Sequence, residues 1–130
     1  MTTPTFTITE LYTDHDGLAR FRERVVPMLQ GSPLAHLSEL IVVPAIQFRH
    51  SPLGFKFPFH CSPTPQWVFI LSGEMEIGLQ DGTARRFKPG EHFLSADTLP
   101  SGATFNDAVH GHRSCQVGDQ PLVTLFVKTV

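Results

Sequence analysis

The sequence predicts an all-β protein, an antiparallel jelly-roll barrel of about eight to ten short strands. Two observations carry this. From Gln66 to Gly90, strand-length apolar runs alternate with Gly and Pro turns: Gln66–Leu71 runs into Ser72-Gly73, Glu74–Gln80 into Asp81-Gly82, and Arg85–Phe87 into Pro89-Gly90. The composition is also that of a globular chain, 41% hydrophobic and 17% charged over 130 residues. A chain of this length can bury one core without a disulfide or a metal to hold it.

The other elements follow in order. Thr5–Tyr12 alternates, with Phe6, Ile8 and Glu10 on one face and Thr7, Thr9 and Leu11 on the other, which predicts a strand. Thr13–Gly17 is a turn. Leu18–Leu29 fits a helix through Leu18, Phe21, Val25 and Met28. It also fits a strand with Phe21, Glu23 and Val25 opposed to Arg20, Arg22 and Arg24, and the flanking turns favour the strand. The three arginines then read as a solvated edge. Gln30–Pro33 is a turn and Leu34–Leu40 a short helical or irregular piece. Ile41–Arg49 is a strand that Pro44 confines to an edge or a bulge. Ser51–Pro58 is a loop, Glu91–Ala96 a strand and Asp97–Asp107 a long loop. Val109–Val117 and Leu122–Val130 are the last strands.

No repeat or low-complexity segment divides the chain. It reads as one domain, 1–130, with its core over 41–130 and N-terminal strands 5–29 covering the barrel or a dimer interface. Gln66–Leu71 bears on both points. Gln66, Val68 and Ile70 share one face and Trp67, Phe69 and Leu71 the other, so both faces are apolar. A barrel strand with one wet face would not look like this, so either the N-terminal segment or a second subunit is expected to cover the outer side, which is the argument for a homodimer.

A formal charge of −2 argues against a nucleic-acid partner. The start, MTTPTFTITE, lacks the basic and apolar regions of a secretory leader, and no apolar run approaches a membrane span. A cytoplasmic location and no membrane partner are the expectation. Two cysteines, Cys61 and Cys115, make no disulfide framework, and an inert thiol is expected at Cys61.

Chemistry points to histidine, with seven in the chain. His110 and His112 stand at i and i+2 in a predicted strand, which aims both rings to one side. His60, from the other sheet, could bring a third nitrogen, and Gln66 a neutral oxygen. Three imidazoles suit Zn, Ni, Fe or Mn. Asp97 could orient His112 or His60 by accepting a ring N–H, or could cap a turn. His92 reads as structural or exposed. Val68, Ile70, Phe87, Phe93 and Phe126 would line a small-molecule pocket.

His60, Gln66, Val68-Phe69-Ile70-Leu71-Ser72-Gly73-Glu74, Asp81-Gly82, Phe87, Pro89-Gly90-Glu91, Asp97 and Gly111-His112-Arg113-Ser114 resemble the cupin superfamily, and more narrowly its small single-domain members. The resemblance implies a double-stranded β-helix (jelly-roll) barrel, often dimeric. It also implies a divalent metal held by two His and a Glu from a first motif and a His from a second. His60 matches one first-motif histidine and His112 the second-motif one. Position 58 is Pro58 where the other histidine would be, and Gln66 stands where the Glu would be. Either His110 compensates from the opposite strand or the site is metal-free. The span from Asp97 to His112 is longer than in the narrow family, and Leu99, Phe105, Asn106 and Asp107 are expected to form a rim or lid.

Three functions fit these residues. The first is a metal-dependent cupin enzyme acting on a small organic molecule, with His60, His110, His112 and Gln66 as ligands. The second is a metal-free isomerase or epimerase in which Asp97 orients His112 or His60 as the base. The third is a non-catalytic module that binds a small ligand.

Overall fold

The computed structural model describes residues 3–129 and holds strands but no helix among them. Its strands are β1 (Thr5–Thr13), β2 (Ala19–Pro27), β3 (Gln30–Ser32), β4 (Ala35–Leu37), β5 (Ala45–Ser51), β6 (Lys56–His60), β7 (Gln66–Ser72), β8 (Glu74–Gly78), β9 (Ala84–Phe87), β10 (His92–Ala96), β11 (His112–Val117) and β12 (Leu122–Lys128). A six-stranded sheet runs β2-β1-β10-β7-β12-β5 and a four-stranded sheet runs β6-β11-β8-β9. All pairings are antiparallel except β1 with β10. This is the jelly roll that the sequence predicts.

The two sheets face each other across one apolar core. Val68, Ile70, Phe93, Leu122 and Phe126 come from the larger sheet, and Met75, Ile77 and Phe87 from the smaller, with Leu11 and Ala19 joining them. Parity explains the choice. In β7, Val68 and Ile70 are buried inward, whereas Trp67 and Phe69 turn to the outer face.

Leu18–Leu29 holds the strand that its flanking turns favour, since all nine residues of β2 pair with β1. Several other elements differ from expectation. The arginines are not simply solvated: Arg22 lies 2.6 Å and Arg24 3.4 Å from the carboxylate of Glu10, itself only 8% exposed. Leu34–Leu40 is neither helical nor irregular throughout, since β3 and β4 form a small hairpin of their own. Strand β6 occupies the end of the segment read as a loop. Pro58 hides it in the sequence, but β6 is a sheet edge, where a missing N–H is tolerated. Strand β5 begins directly after Pro44 and is also an edge, as that proline requires. The N-terminal strands extend the larger sheet beside β10 rather than lying over it.

Candidate functional site

The site forms where β6 and β11 pair. His60 and His112 are direct cross-strand partners, and a bulge follows between His112 and Ser114. Their ring centroids are 4.6 Å apart. Both therefore stand on the same four-stranded sheet, and the expectation that His60 comes from the opposite sheet is corrected. Gly111 makes the approach possible. Its φ is +89°, and a Cβ there would lie 2.6 Å from the carbonyl oxygen of His60. Only glycine fits this left-handed, crowded position.

Asp97 comes from the other sheet, at the end of β10. It is fully buried, and its Oδ2 accepts the Nδ1–H of His112 at 2.8 Å. Thr13 Oγ1, at the end of β1, lies 2.7 Å from Oδ1 of the same carboxylate. The Asp97 carbonyl accepts the backbone N–H of Ser62, and Ser62 Oγ lies 2.7 Å from Ser95 Oγ. The β6–β7 turn is thus bolted to β10 behind the histidines. His60 is fixed from its other side, where Nδ1–H donates to the Pro58 carbonyl at 2.8 Å. With Nδ1 engaged on both rings, Nε2 is the free nitrogen of each. Burial holds the His60 imidazole below its ordinary range against the opposing bond to Pro58, and the charges at His112 and Arg49 push the same way as burial.

The two rings line a chamber of about 70 Å³ with Arg49, Ser62, Pro63, Gln66, Val68, Met75, Ile77, Phe93, Ser95, Ser114 and Phe126. Gln66, Val68, Phe93 and Phe126 are among these lining residues. Ile70 and Phe87 do not line it. Ile70 lies deeper in the core, and Phe87 packs against Phe21 and Phe93. His110 is also corrected. Strand β11 begins at His112, so Gly111 breaks the alternation on which the pair His110–His112 rests. The His110 ring instead packs near Phe105 and Gly17 and accepts the N–H of Asn106. Residues 98–111 contribute nothing to the chamber wall, and Gln80 ties this loop down through the carbonyls of Asp107 and His110. Cys61 is half-buried and free, and burial pushes its thiol up to about 11, which leaves it inert.

Among the described residues, no three His, Cys, Asp or Glu side chains gather as a metal cage. The donors at the chamber are two imidazoles and one amide, because Asp97 is already committed to His112 and Thr13. This set does not fit the four-ligand centre that the resemblance implies. Sequence reading also missed Arg49. Its signal is parity, because Gln47, Arg49 and Ser51 share a face of β5 and Ser51 is buried.

No family model matches the chain. It is 32% identical over 78 residues to the dimethylsulfoniopropionate lyase DddQ of Ruegeria pomeroyi, a match covering 60% of this chain and 33% of that enzyme. The chain therefore spans about a third of the length of the curated relative it matches. It overlays the crystal structure of DddQ with a TM-score of 0.46 and 26% identity, over 65% of this chain and 37% of that one. The cupin domain of Schizosaccharomyces pombe Cnp3 overlays 95% of this chain and 83% of its own with a TM-score of 0.41 and 14% identity. The strand order is that of the jelly-roll fold that the resemblance to the cupin superfamily implies.

Proposed function

We propose that this protein is a cupin enzyme that removes a proton from a carbon next to a carbonyl or carboxyl group of a small organic molecule. The observation that carries this is the buried Asp97–His112 bond at the wall of the chamber. His112 is the base, and its free Nε2 takes the proton. Asp97 fixes the tautomer that leaves Nε2 free and balances the positive charge that forms on the ring. His60, kept neutral by burial and by its neighbours, adds no competing charge and offers a second lone pair for hydrogen bonding. The C–H electrons then either return to a neighbouring carbon with a proton, which is isomerisation, or expel a leaving group, which is elimination. The likeness to a lyase favours elimination.

The test uses dimethylsulfoniopropionate first, then a panel of short carbonyl and carboxyl compounds, incubated in D₂O and followed by proton NMR. Exchange or elimination at the carbon beside the carbonyl is expected, reduced roughly 10²- to 10⁴-fold in Asp97→Asn and His112→Ala. A protein that holds panel members in the chamber but exchanges no C–H bond is a binding module, and that result overturns the proposal.

Two imidazoles and an amide hold a divalent ion loosely, and no step is assigned to one. Titration with Zn, Ni, Fe and Mn, read on His112→Ala beside the unmodified protein, checks it.

The homodimer belongs to the same proposal. Phe6, Ile8, Val26, Met28, Trp67 and Phe69 line an outer groove of about 340 Å³, and Leu34, Leu40 and Val42 are more than four-fifths exposed beside it. A second copy laid on this face removes both from water.

A further inference from the structure

Arg49 is the one guanidinium among the residues that line the chamber, and its environment is unusual. Nε and Nη2 are both shielded from water and have no hydrogen-bond partner among the described residues. Buried donors left this way are costly, and a guanidinium cannot shed its charge to escape the cost. Its plane is fixed between two rings, with Cζ 4.9 Å from the centroid of Phe55 and 4.7 Å from that of Phe126. Stacking holds the faces and leaves the edge, where the N–H groups lie, free to bind. Thr124, the cross-strand partner of Arg49, and Ser51 also carry buried hydroxyls without partners among the described residues.

The placement is equally informative. Arg49, Gln66 and Phe126 line the chamber on one side and an outer groove of about 270 Å³ on the other, where Gln47, Phe48 and Lys128 join them. Arg49 therefore stands in the wall between solvent and the histidines, with a lysine outside it. Among the described residues, no acidic side chain lines either space. Val68, Met75, Ile77 and Phe93 give the chamber an apolar side, and Ser62, Ser95 and Ser114 add hydroxyls to the rest of its wall.

We propose that Arg49 is the anchor for the carboxylate of a short-chain organic acid, whose carbon chain lies in the chamber toward His60 and His112. The planar edge of a guanidinium matches a carboxylate through two parallel hydrogen bonds. Val68, Met75, Ile77 and Phe93 accept the few carbons behind it. The assignment rests on the proton-transfer reading above, because it supplies the group beside which the acidic C–H would sit.

The experiment is a titration with propionate, its neutral isostere propionamide and inorganic phosphate, followed by NMR on the Arg49 Nε–H and on the ring protons of His60 and His112. Propionate is expected to shift all three. Propionamide is expected to bind at least about tenfold more weakly, because it brings no charge to the guanidinium. Arg49→Met should lose propionate binding, and Arg49→Lys should keep part of it, which separates loss of the anchor from loss of the fold. Equal binding of propionate and propionamide, unchanged propionate binding in Arg49→Met, or tighter binding of phosphate than of propionate overturns the assignment and leaves the imidazole centre standing. Propionate that shifts Arg49 but neither imidazole supports the anchor and counts against the chemistry proposed for the histidines.

Discussion

The chamber at His60 and His112 and the groove around Trp67 lie on opposite faces of the same larger sheet. The chamber is small, about 70 Å³, and draws two imidazoles, a guanidinium and an amide to one point. The groove is several times larger, about 340 Å³, open and almost wholly apolar. Strand β7 supplies both walls, with Val68 facing inward and Trp67 and Phe69 outward. The difference teaches that volume and greasiness locate a surface for burial, whereas convergent polar groups with fixed partners locate chemistry.

The sharpest way to break this contrast is to compare the two faces by activity. Asp97→Asn should lower turnover roughly 10²- to 10⁴-fold, whereas Ile41→Ser in the outer groove should leave turnover per chain unaltered. Steady-state rates on folded protein check it, and equal losses at both faces would erase the distinction.

Next comes the glycine that lets the two strands cross. Gly111 and Gly82 have similar backbones, φ +89° and +86°, but a Cβ at Gly111 meets the His60 backbone and one at Gly82 meets nothing within 4 Å. Gly82→Ala should cost about 1–2 kcal/mol from the left-handed conformation alone. Gly111→Ala should cost clearly more and should also separate the two imidazoles. Urea unfolding measures the first, and the NMR contact between the His60 and His112 rings measures the second.

Acid should expose a smaller effect. Burial holds both His60 and His92 below the ordinary imidazole range in the folded chain. The unfolded chain then binds more protons, so stability is greatest above that range and falls as pH drops from about 7 toward 5. His92 adds to this because its ring sits among Phe6, Trp67 and Phe69 with a buried Nε2 that has no partner among the described residues. Of its two readings, structural or exposed, the packing of the ring matches the structural one. His92→Gln should flatten the acid limb of a melting-temperature profile, and an unchanged limb would count against this cause.

The smallest effect concerns association. Val42→Ser, at an 86% exposed residue, should weaken self-association without moving the unfolding midpoint of the single chain by more than about 0.5 kcal/mol. Sedimentation at several concentrations reads it.

Much of this was legible in the sequence. The turns at Gly73, Gly82 and Gly90 mark β7 to β10, and the parity of β7 assigns both its faces. His60, His112 and Asp97 emerge from the same pattern. What stayed hidden depends on contacts between elements. Helical and strand spacing compete over Leu18–Leu29, and pairing with β1 decides between them. His110 looks like a ligand because alternation is assumed through Gly111, where a left-handed residue ends it. Arg49 looks like the end of an edge strand until Phe55 and Phe126 close around it. Thr13 gives no sign in the chain that it supports a carboxylate 84 residues away.

The central claim is that His112 presents a free Nε2 because Asp97 holds the proton on Nδ1. Long-range ¹H–¹⁵N NMR of the histidine rings reads this without any substrate. The account predicts an Nδ1-protonated His112 whose tautomer shifts in Asp97→Asn. A His112 protonated on Nε2 in the unmodified protein, or one indifferent to Asp97→Asn, would contradict it.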